Sequence, residues 1–292
     1  MFHWVELSFG PPAEPALDAC ETSTASRHPM PAARSLSKRR SPSNRSLDRG
    51  LQILRAFRPG ATTLGNNDIA ERTGLPRSTV SRLTTTLVRA GFLEWDPGAR
   101  AYRLAPPVLG LAQSFRWGSP ILQLALPKMR ELAESERVNV GLAIADGDEM
   151  IYLDSVRRSR SELFRHVASG TRIPMELTSL GRAFLGTVAA RDLRSLMAVF
   201  RLRHRSNWPA IRRDIAQSIR DVRRKGYCVA TWQAGIFAIG APLVIPNLPV
   251  YALNISAAIQ TLSAARTHEM LARRLLQLAR DIRDACVTQK ET

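Results

Sequence analysis

Ala70, Gly74 and Val80 set the tightest constraint in this chain. A small residue, a glycine four positions on and a branched apolar residue ten positions on suit two short helices crossing steeply over a tight turn. The first helix must be small where the second packs on it. The turn must tolerate a positive φ, and the branched residue locks the pair. Ile69, Leu75 and Leu83 supply further core. The flanks agree. Leu47, Leu51, Leu54 and Phe57 lie four, three and three apart, an apolar helical face ended by Pro59-Gly60. The helix holding Ala70 runs from about 67 to 73, with Asn66 or Asn67 as N-cap and Gly74 as its close. Pro76 opens a third helix reaching Ala90. Residues 92–95 and 101–104 read as strands around Asp96-Pro97-Gly98. The pattern predicts a winged helix-turn-helix over residues 45–105, with an unrelated helical hairpin as the plainer alternative.

In that arrangement the third helix enters the major groove. It presents Arg77, Ser78, Thr79, Ser81, Arg82, Thr84 and Thr85. Arginine pairs bidentately with guanine, and hydroxyl side chains reach bases or phosphates. Arg45, Arg49, Arg100 and Arg103 are natural phosphate contacts. For Arg77 and Arg82, simple solvation is the alternative.

Charge points the same way. The 292 residues carry 42 Lys and Arg against 25 Asp and Glu, a net +17 that suits a polyanionic partner. The density peaks at +9 over residues 31–105. Only four of the 42 are lysines, so genome base composition is a competing cause, and the +11 of residues 106–292 attaches to no motif. Residues 1–44, including Lys38-Arg39-Arg40, are expected to form a disordered basic tail. Residues 1–10 have no basic start and only a short apolar run, so no signal peptide is expected. Cys20, Cys228 and Cys286 are odd in number and far apart, and the five His lack ligand spacing. No zinc site, disulfide scaffold or cofactor is expected, and a reducing cytoplasm fits. Residues 226–265 carry no charge, but Gly235, Gly240, Pro242, Pro246 and Pro249 interrupt every membrane-length window. Buried strands are expected there, not a membrane span. There is no G-x-S-x-G and no phosphate-binding glycine loop, and the S-x-x-K at Ser35 falls in the tail. The chain is therefore not expected to be an enzyme.

Pro106-Pro107 marks a boundary, with a linker over 106–119 (helical at 108–115) and a second domain over 120–288. Periodicity there predicts a helix at 120–136, strands at 139–145 and 149–156 around Asp146-Gly147, and a third strand at 162–167. Helices follow at 179–188, 191–200 and 208–225, then strands near 237–245 and 250–257, then a helix near 263–286. The mixture without a βαβ rhythm is α+β.

Two runs carry a resemblance: Ser-Leu-Asp-Arg-Gly-Leu-Gln-Ile-Leu at 46–54, and Ile-Ala-Glu-Arg-Thr-Gly-Leu-Pro-Arg-Ser-Thr-Val-Ser-Arg-Leu at 69–83. They resemble the IclR family of bacterial transcription regulators, and the likeness extends over residues 45–286. The resemblance implies an N-terminal winged helix-turn-helix, a linker helix used in dimerisation, and a C-terminal GAF-like α+β effector-binding domain. It implies a homodimer or dimer of dimers on a double-stranded DNA operator. Residues 170–174 (Gly-Thr-Arg-Ile-Pro), 178–185 (Thr-Ser-Leu-Gly-Arg-Ala-Phe-Leu) and 252–256 (Ala-Leu-Asn-Ile-Ser) are similar to the family's pocket loop, helix start and final pocket strand. They imply effector-binding roles for Arg172, Ser179, Leu180, Gly181, Asn254 and Ser256. The residues agree in part. Small and hydroxyl residues at a helix start leave N–H groups for a carboxylate, and alternation puts Asn254 and Ser256 on one strand face. A capped core helix, a satisfied core pair and an exposed Arg172 are the plainer alternatives.

The wording at 178–182 and 253–256 is most similar to the branch controlling aromatic acid breakdown, the protocatechuate and para-hydroxybenzoate regulators. That implies an aromatic or dicarboxylic acid effector. The chain also departs from the family: no carboxylate follows Gly226-Tyr227, and Ala238 stands where Cys or Ser is common. A pocket of Ala230, Trp232 and Ala238 is less polar and favours an aromatic ligand. The expected function is sequence-specific transcription regulation switched by a small organic acid. A non-specific, charge-driven nucleic-acid binder and a metabolite or protein sensor without operator specificity are the rivals.

Overall fold

The computed structural model describes residues 44–58, 60–158, 167–258 and 264–289. The expected tail, except Asn44, and the expected strand at 162–167, except Val167, lie outside the described residues.

The N-terminal part runs α1 (Arg45–Ala56), β1 (Thr63–Leu64), α2 (Asn66–Thr73), α3 (Arg77–Arg89), β2 (Leu93–Asp96) and β3 (Ala101–Leu104). Ile69 and Val80 are fully buried, and Gly74 takes φ +69° between their helices. The strands form an antiparallel sheet in the order β1-β3-β2. Strand β1, at two residues, is too short to show a period in sequence. Helix α2 starts earlier than expected: Gly65 is its cap, and both asparagines lie inside it. Asp68 Oδ2 reaches back to accept from the Gly65 N–H at 2.9 Å, which serves one unpaired donor of the helix start.

Helix α1 corrects the expected apolar face. Ile53, Ala56 and Phe57 are buried against α2 and α3, whereas Leu47 and Leu51 are 60% and 50% exposed. The helix carries more apolar residues than one face holds. The face that packs runs through 53, 56 and 57, and the first two leucines of the expected stripe stand clear of it.

Helix α4 (Pro107–Trp117) connects to the second domain and has no buried residue. Then come α5 (Pro120–Ser135), β4 (Asn139–Asp146), β5 (Glu149–Val156), β6 (Arg172–Pro174), α6 (Ser179–Leu185), α7 (Ala190–Arg203), α8 (Trp208–Lys225), β7 (Cys228–Ala230), β8 (Ile236–Leu243), β9 (Tyr251–Ala258) and α9 (Ala264–Thr288). Six antiparallel strands pair in the order β6-β5-β4-β9-β8-β7. One face packs on α5 and α9 through Met129, Leu142, Leu253, Ile255, Leu275 and Ile282. The other packs on α6, α7 and α8 through Met150, Leu180, Phe200, Ile211 and Ile215. Burying alternate residues of one sheet on two helical layers makes the domain α+β.

Register between β4 and β5 shifts so that Leu142 opposes Asp154 while Ala143 opposes Tyr152. Leu153 is thus an extra residue, and the bulge changes the phase of β5. The basic residues of this domain are also concentrated: residues 190–225, mostly α7 and α8, hold eleven Lys and Arg against three Asp. Most of the second domain's excess charge therefore lies on one helical pair. Among the described residues, no helix is long and apolar enough to cross a membrane.

Candidate functional site

On α3, Arg77, Ser78, Ser81, Arg82 and Thr85 are exposed, and Thr79 is half-buried. Thr84 is a correction. It is fully buried, and its hydroxyl donates to the carbonyls of Val80 at 2.9 Å and Ser81 at 3.0 Å. It lies one turn beyond Val80 and so shares its packing face. The Thr85 hydroxyl also donates within the helix, to the Ser81 carbonyl at 2.9 Å. Neither Arg77 nor Arg82 is held in an ion pair among the described residues. Arg100 sits in the wing turn with φ +48°. Arg103 pairs with Glu94 across the wing at 2.8 Å, the two residues facing each other in register. Both are exposed, and such a pair exchanges readily for a phosphate. Arg45 is exposed at the start of α1 and Arg49 is half-buried one turn on; Asn44 caps this end, accepting from Ser46 N–H at 3.1 Å.

The second domain encloses a cavity between its sheet and the start of α6. Asn139, Gly141, Tyr152, Ser155, Asn254, Ser256 and Ala238 come from the sheet. Thr178, Ser179 and Leu180 form one wall; Ala230, Trp232 and Gln233 form another. Arg157 and Val167 stand where β5 ends. Adjacent strands bring the polar residues together: Gly141 pairs with Asn254, and Asn139 with Ser256. The bulge explains the β5 contribution. Tyr152 and Ser155 are three apart, yet both face the cavity because Leu153 shifts the alternation between them. Leu253 and Ile255 of β9 point to the other core, as alternation requires.

Glycine sets how closely these parts approach. A Cβ at Gly141 would lie 2.5 Å from both Asn254 Oδ1 and Tyr152 Cε1. A Cβ at Gly240 would overlap the Ser179 carbonyl, and one at Gly181 the Met175 backbone. Helix α6 is thus pressed onto β8 and onto the chain before it. Thr178 caps the helix, accepting from the Gly181 N–H at 3.3 Å and donating to the Pro174 carbonyl at 2.8 Å.

Of the residues expected to bind an effector, Ser179, Leu180, Trp232, Ala238, Asn254 and Ser256 line this cavity; Gly181 and Arg172 do not. Gly181 faces Met175. Arg172 is turned away, its guanidinium paired with Asp146 and with Glu149, the latter at 3.1 Å. Burial works to raise the Asp146 pKa, but the Arg172 hydrogen bond and charge, with Arg55, hold it below the ordinary range. Among the described residues the cation in the cavity wall is instead Arg157, whose Nη1 donates to the Val167 carbonyl at 3.2 Å. Sequence reasoning missed it because it lies in a run of arginines at a strand end. Tyr152 was missed because the bulge is not legible.

The cavity's electrostatics are one-sided. Among the described residues, its lining holds one arginine and no Asp, Glu, His, Cys or Lys. Burial pushes the Tyr152 phenol up to about 12, against a hydrogen bond with Asn254 and the Arg157 charge. The phenol therefore stays neutral. The described residues can balance one negative charge, hydrogen-bond a polar edge, and stack a ring near Trp232; among them there is no acid–base pair.

Residues 46–97 match the IclR helix-turn-helix domain, and residues 117–284 match the bacterial transcriptional regulator IclR C-terminal domain. The HTH-type transcriptional regulator TsaQ1/TsaQ2 of Comamonas testosteroni is 33% identical over 65% of this chain and 68% of its own length. The Pca regulon regulatory protein of Pseudomonas putida is 26% identical over 81% of this chain and 82% of its own. Among solved structures, an IclR family transcriptional regulator from Brucella abortus is 33% identical. It superposes with a TM-score of 0.75 over 82% of this chain and 91% of that one.

Proposed function

The chain belongs to the IclR family of bacterial transcriptional regulators, and from that premise we propose that α3 reads an operator under the control of an aromatic carboxylic acid held in the cavity. One observation carries the ligand class: among the described residues of the lining, a single arginine, Arg157, stands beside Tyr152 and Trp232 with no carboxylate. A monocarboxylate on Arg157, with its ring toward Trp232 and a polar substituent toward Asn254 and Tyr152, satisfies all three. The test is a thermal-shift series on the full chain with 4-hydroxybenzoate, protocatechuate, phenol and short-chain keto acids. Arg157→Gln is expected to weaken the aromatic acid about tenfold or more, the scale of a hydrogen bond to a charged group, while leaving phenol unchanged. Equal weakening of both would remove Arg157 as the anchor.

Operator reading rests on Arg77, Ser78, Thr79, Ser81, Arg82 and Thr85, with Arg45, Arg49, Arg100 and Arg103 toward phosphates. Arg82→Ala is expected to cost ~1–3 kcal/mol of discrimination between operator and random duplex. Loss of affinity for both duplexes alike would make it a phosphate contact. Equal wild-type affinity for both at every salt concentration would end the sequence-specific reading.

A second copy of the chain completes the assembly. Leu109, Leu111, Phe115 and Trp117 of α4 are all exposed, and so are Leu47 and Leu51 of α1. An apolar surface of that kind suits burial between copies. Two winged domains then meet half-sites one helical turn, or a multiple of it, apart. Sedimentation equilibrium of a Leu109→Glu, Trp117→Glu variant against the parent tests this.

A further inference from the structure

The turn between β4 and β5 is a charge junction. Asp146, Asp148 and Glu149 fall within four residues around Gly147, whose φ is +66°. Two of these carboxylates are divided between domains. Asp146 gives Oδ2 to Arg172 and Oδ1 to Arg55 of α1, the latter at 3.3 Å. Glu149 gives Oε2 to Arg172 at 3.1 Å and Oε1 to Arg58, just past α1, at 2.9 Å. Each carboxylate thus holds one arginine of its own domain and one of the DNA-binding domain, 91 residues earlier in the chain. Asp148 differs. Its ion pair is with Arg203, at the end of α7 in its own domain.

The two sets of arginines are held unequally. The Arg172 side chain is 17% exposed, whereas Arg58 is 46% and Arg55 68% exposed. Exposed pairs are weak and easily exchanged, so the DNA-binding domain's arginines are the releasable ones. Arg172 is also tied to the cavity. It opens β6, whose next residue, Ile173, lines the cavity. The Pro174 carbonyl then accepts from the Thr178 hydroxyl that caps α6. A shift of Thr178–Leu180 on a ligand is therefore passed along three residues of β6 to the guanidinium that shares both carboxylates.

We propose that the β4–β5 turn is a latch: Asp146 and Glu149 hold the DNA-binding domain through Arg55 and Arg58, and the effector cavity works the latch through Arg172. The coupling to the cavity rests on the reading of the cavity as an effector site; the latch itself does not. While closed, it fixes the winged domain against the second domain and neutralises two of its cations. Opening it frees both the domain and the charges.

Anisotropy titration of a random-sequence DNA duplex with the full chain at low salt tests the latch. Asp146→Asn with Glu149→Gln is expected to bind at least about fivefold tighter than the parent, the lower end of ordinary coupling between sites. Asp148→Asn removes a carboxylate from the same turn without touching an interdomain pair, and is expected to stay within about twofold. No gain in the double variant, or an equal gain in Asp148→Asn, overturns the latch. Coupling to the cavity is read separately with 4-hydroxybenzoate. The acid should raise the melting temperature of parent and double variant alike, but change operator affinity only in the parent. An undiminished response of operator affinity in the double variant overturns the coupling. If the acid shifts neither protein, the cavity reading fails for that acid, and the DNA arm still decides the latch.

Discussion

A Gly181→Ala variant is expected to lose about 3 kcal/mol of unfolding free energy, although alanine is the better helix former. On propensity alone, the change inside α6 would gain ~1 kcal/mol. The added Cβ, however, overlaps the backbone of Met175. Overpacking costs ~1–3 kcal/mol when side chains can move aside and more when they cannot; here the obstacle is main chain. Relief requires α6 to lift, and Gly240 against Ser179 closes that route from the other side. Urea unfolding reads the outcome as a lower midpoint at unchanged slope. A midpoint equal to the parent's would show that α6 is free to shift, and with it the cavity wall.

The second large effect centres on Glu176, a fully buried carboxylate two residues before the cap of α6. It accepts from Arg203 Nη1 at 3.0 Å and lies 2.6 Å from His204 Nε2. Removing one partner of a buried pair costs ~3–5 kcal/mol when the other is stranded. Arg203 is half-exposed and keeps Asp148, so Glu176→Ala is expected to cost less, about 2–3 kcal/mol. Glu176→Gln, which keeps the volume and an acceptor, should lose distinctly less. Equal losses in both variants would assign the effect to charge, and no loss in either would show that the loop into α6 is held by its backbone alone. Ligand affinity should fall with Glu176→Ala, because the cavity-lining Thr178 and Ser179 lie only two and three residues on.

Much of this site was legible because its signals are local. Asn254 and Ser256 share a strand face by alternation, and Ala70 and Val80 pack, with Gly74 turning at positive φ between them, where their spacing requires. What failed depended on events that spacing does not carry. One unpaired residue, Leu153, re-aims the end of β5 and brings Tyr152, Ser155 and Arg157 to the cavity. Arg172 was expected at the ligand because it lies in the right loop, but two carboxylates 23 and 26 residues earlier claim it. Thr84 has the hydroxyl of a DNA contact and the position of a core residue; position prevails. Strands β6 and β7 are three residues each, too short for any period to declare them.

Those two short strands have a further consequence, because among the described residues they are the outer edges of the six-stranded sheet. An open edge is a template on which another chain can add a strand. Strand β6 offers only Arg172, Ile173 and Pro174, and proline has no N–H to give. Strand β7 offers only Cys228, Val229 and Ala230. Neither is long enough to register a foreign strand. Such edges steer copies of this domain away from growing their sheets end to end into fibrils.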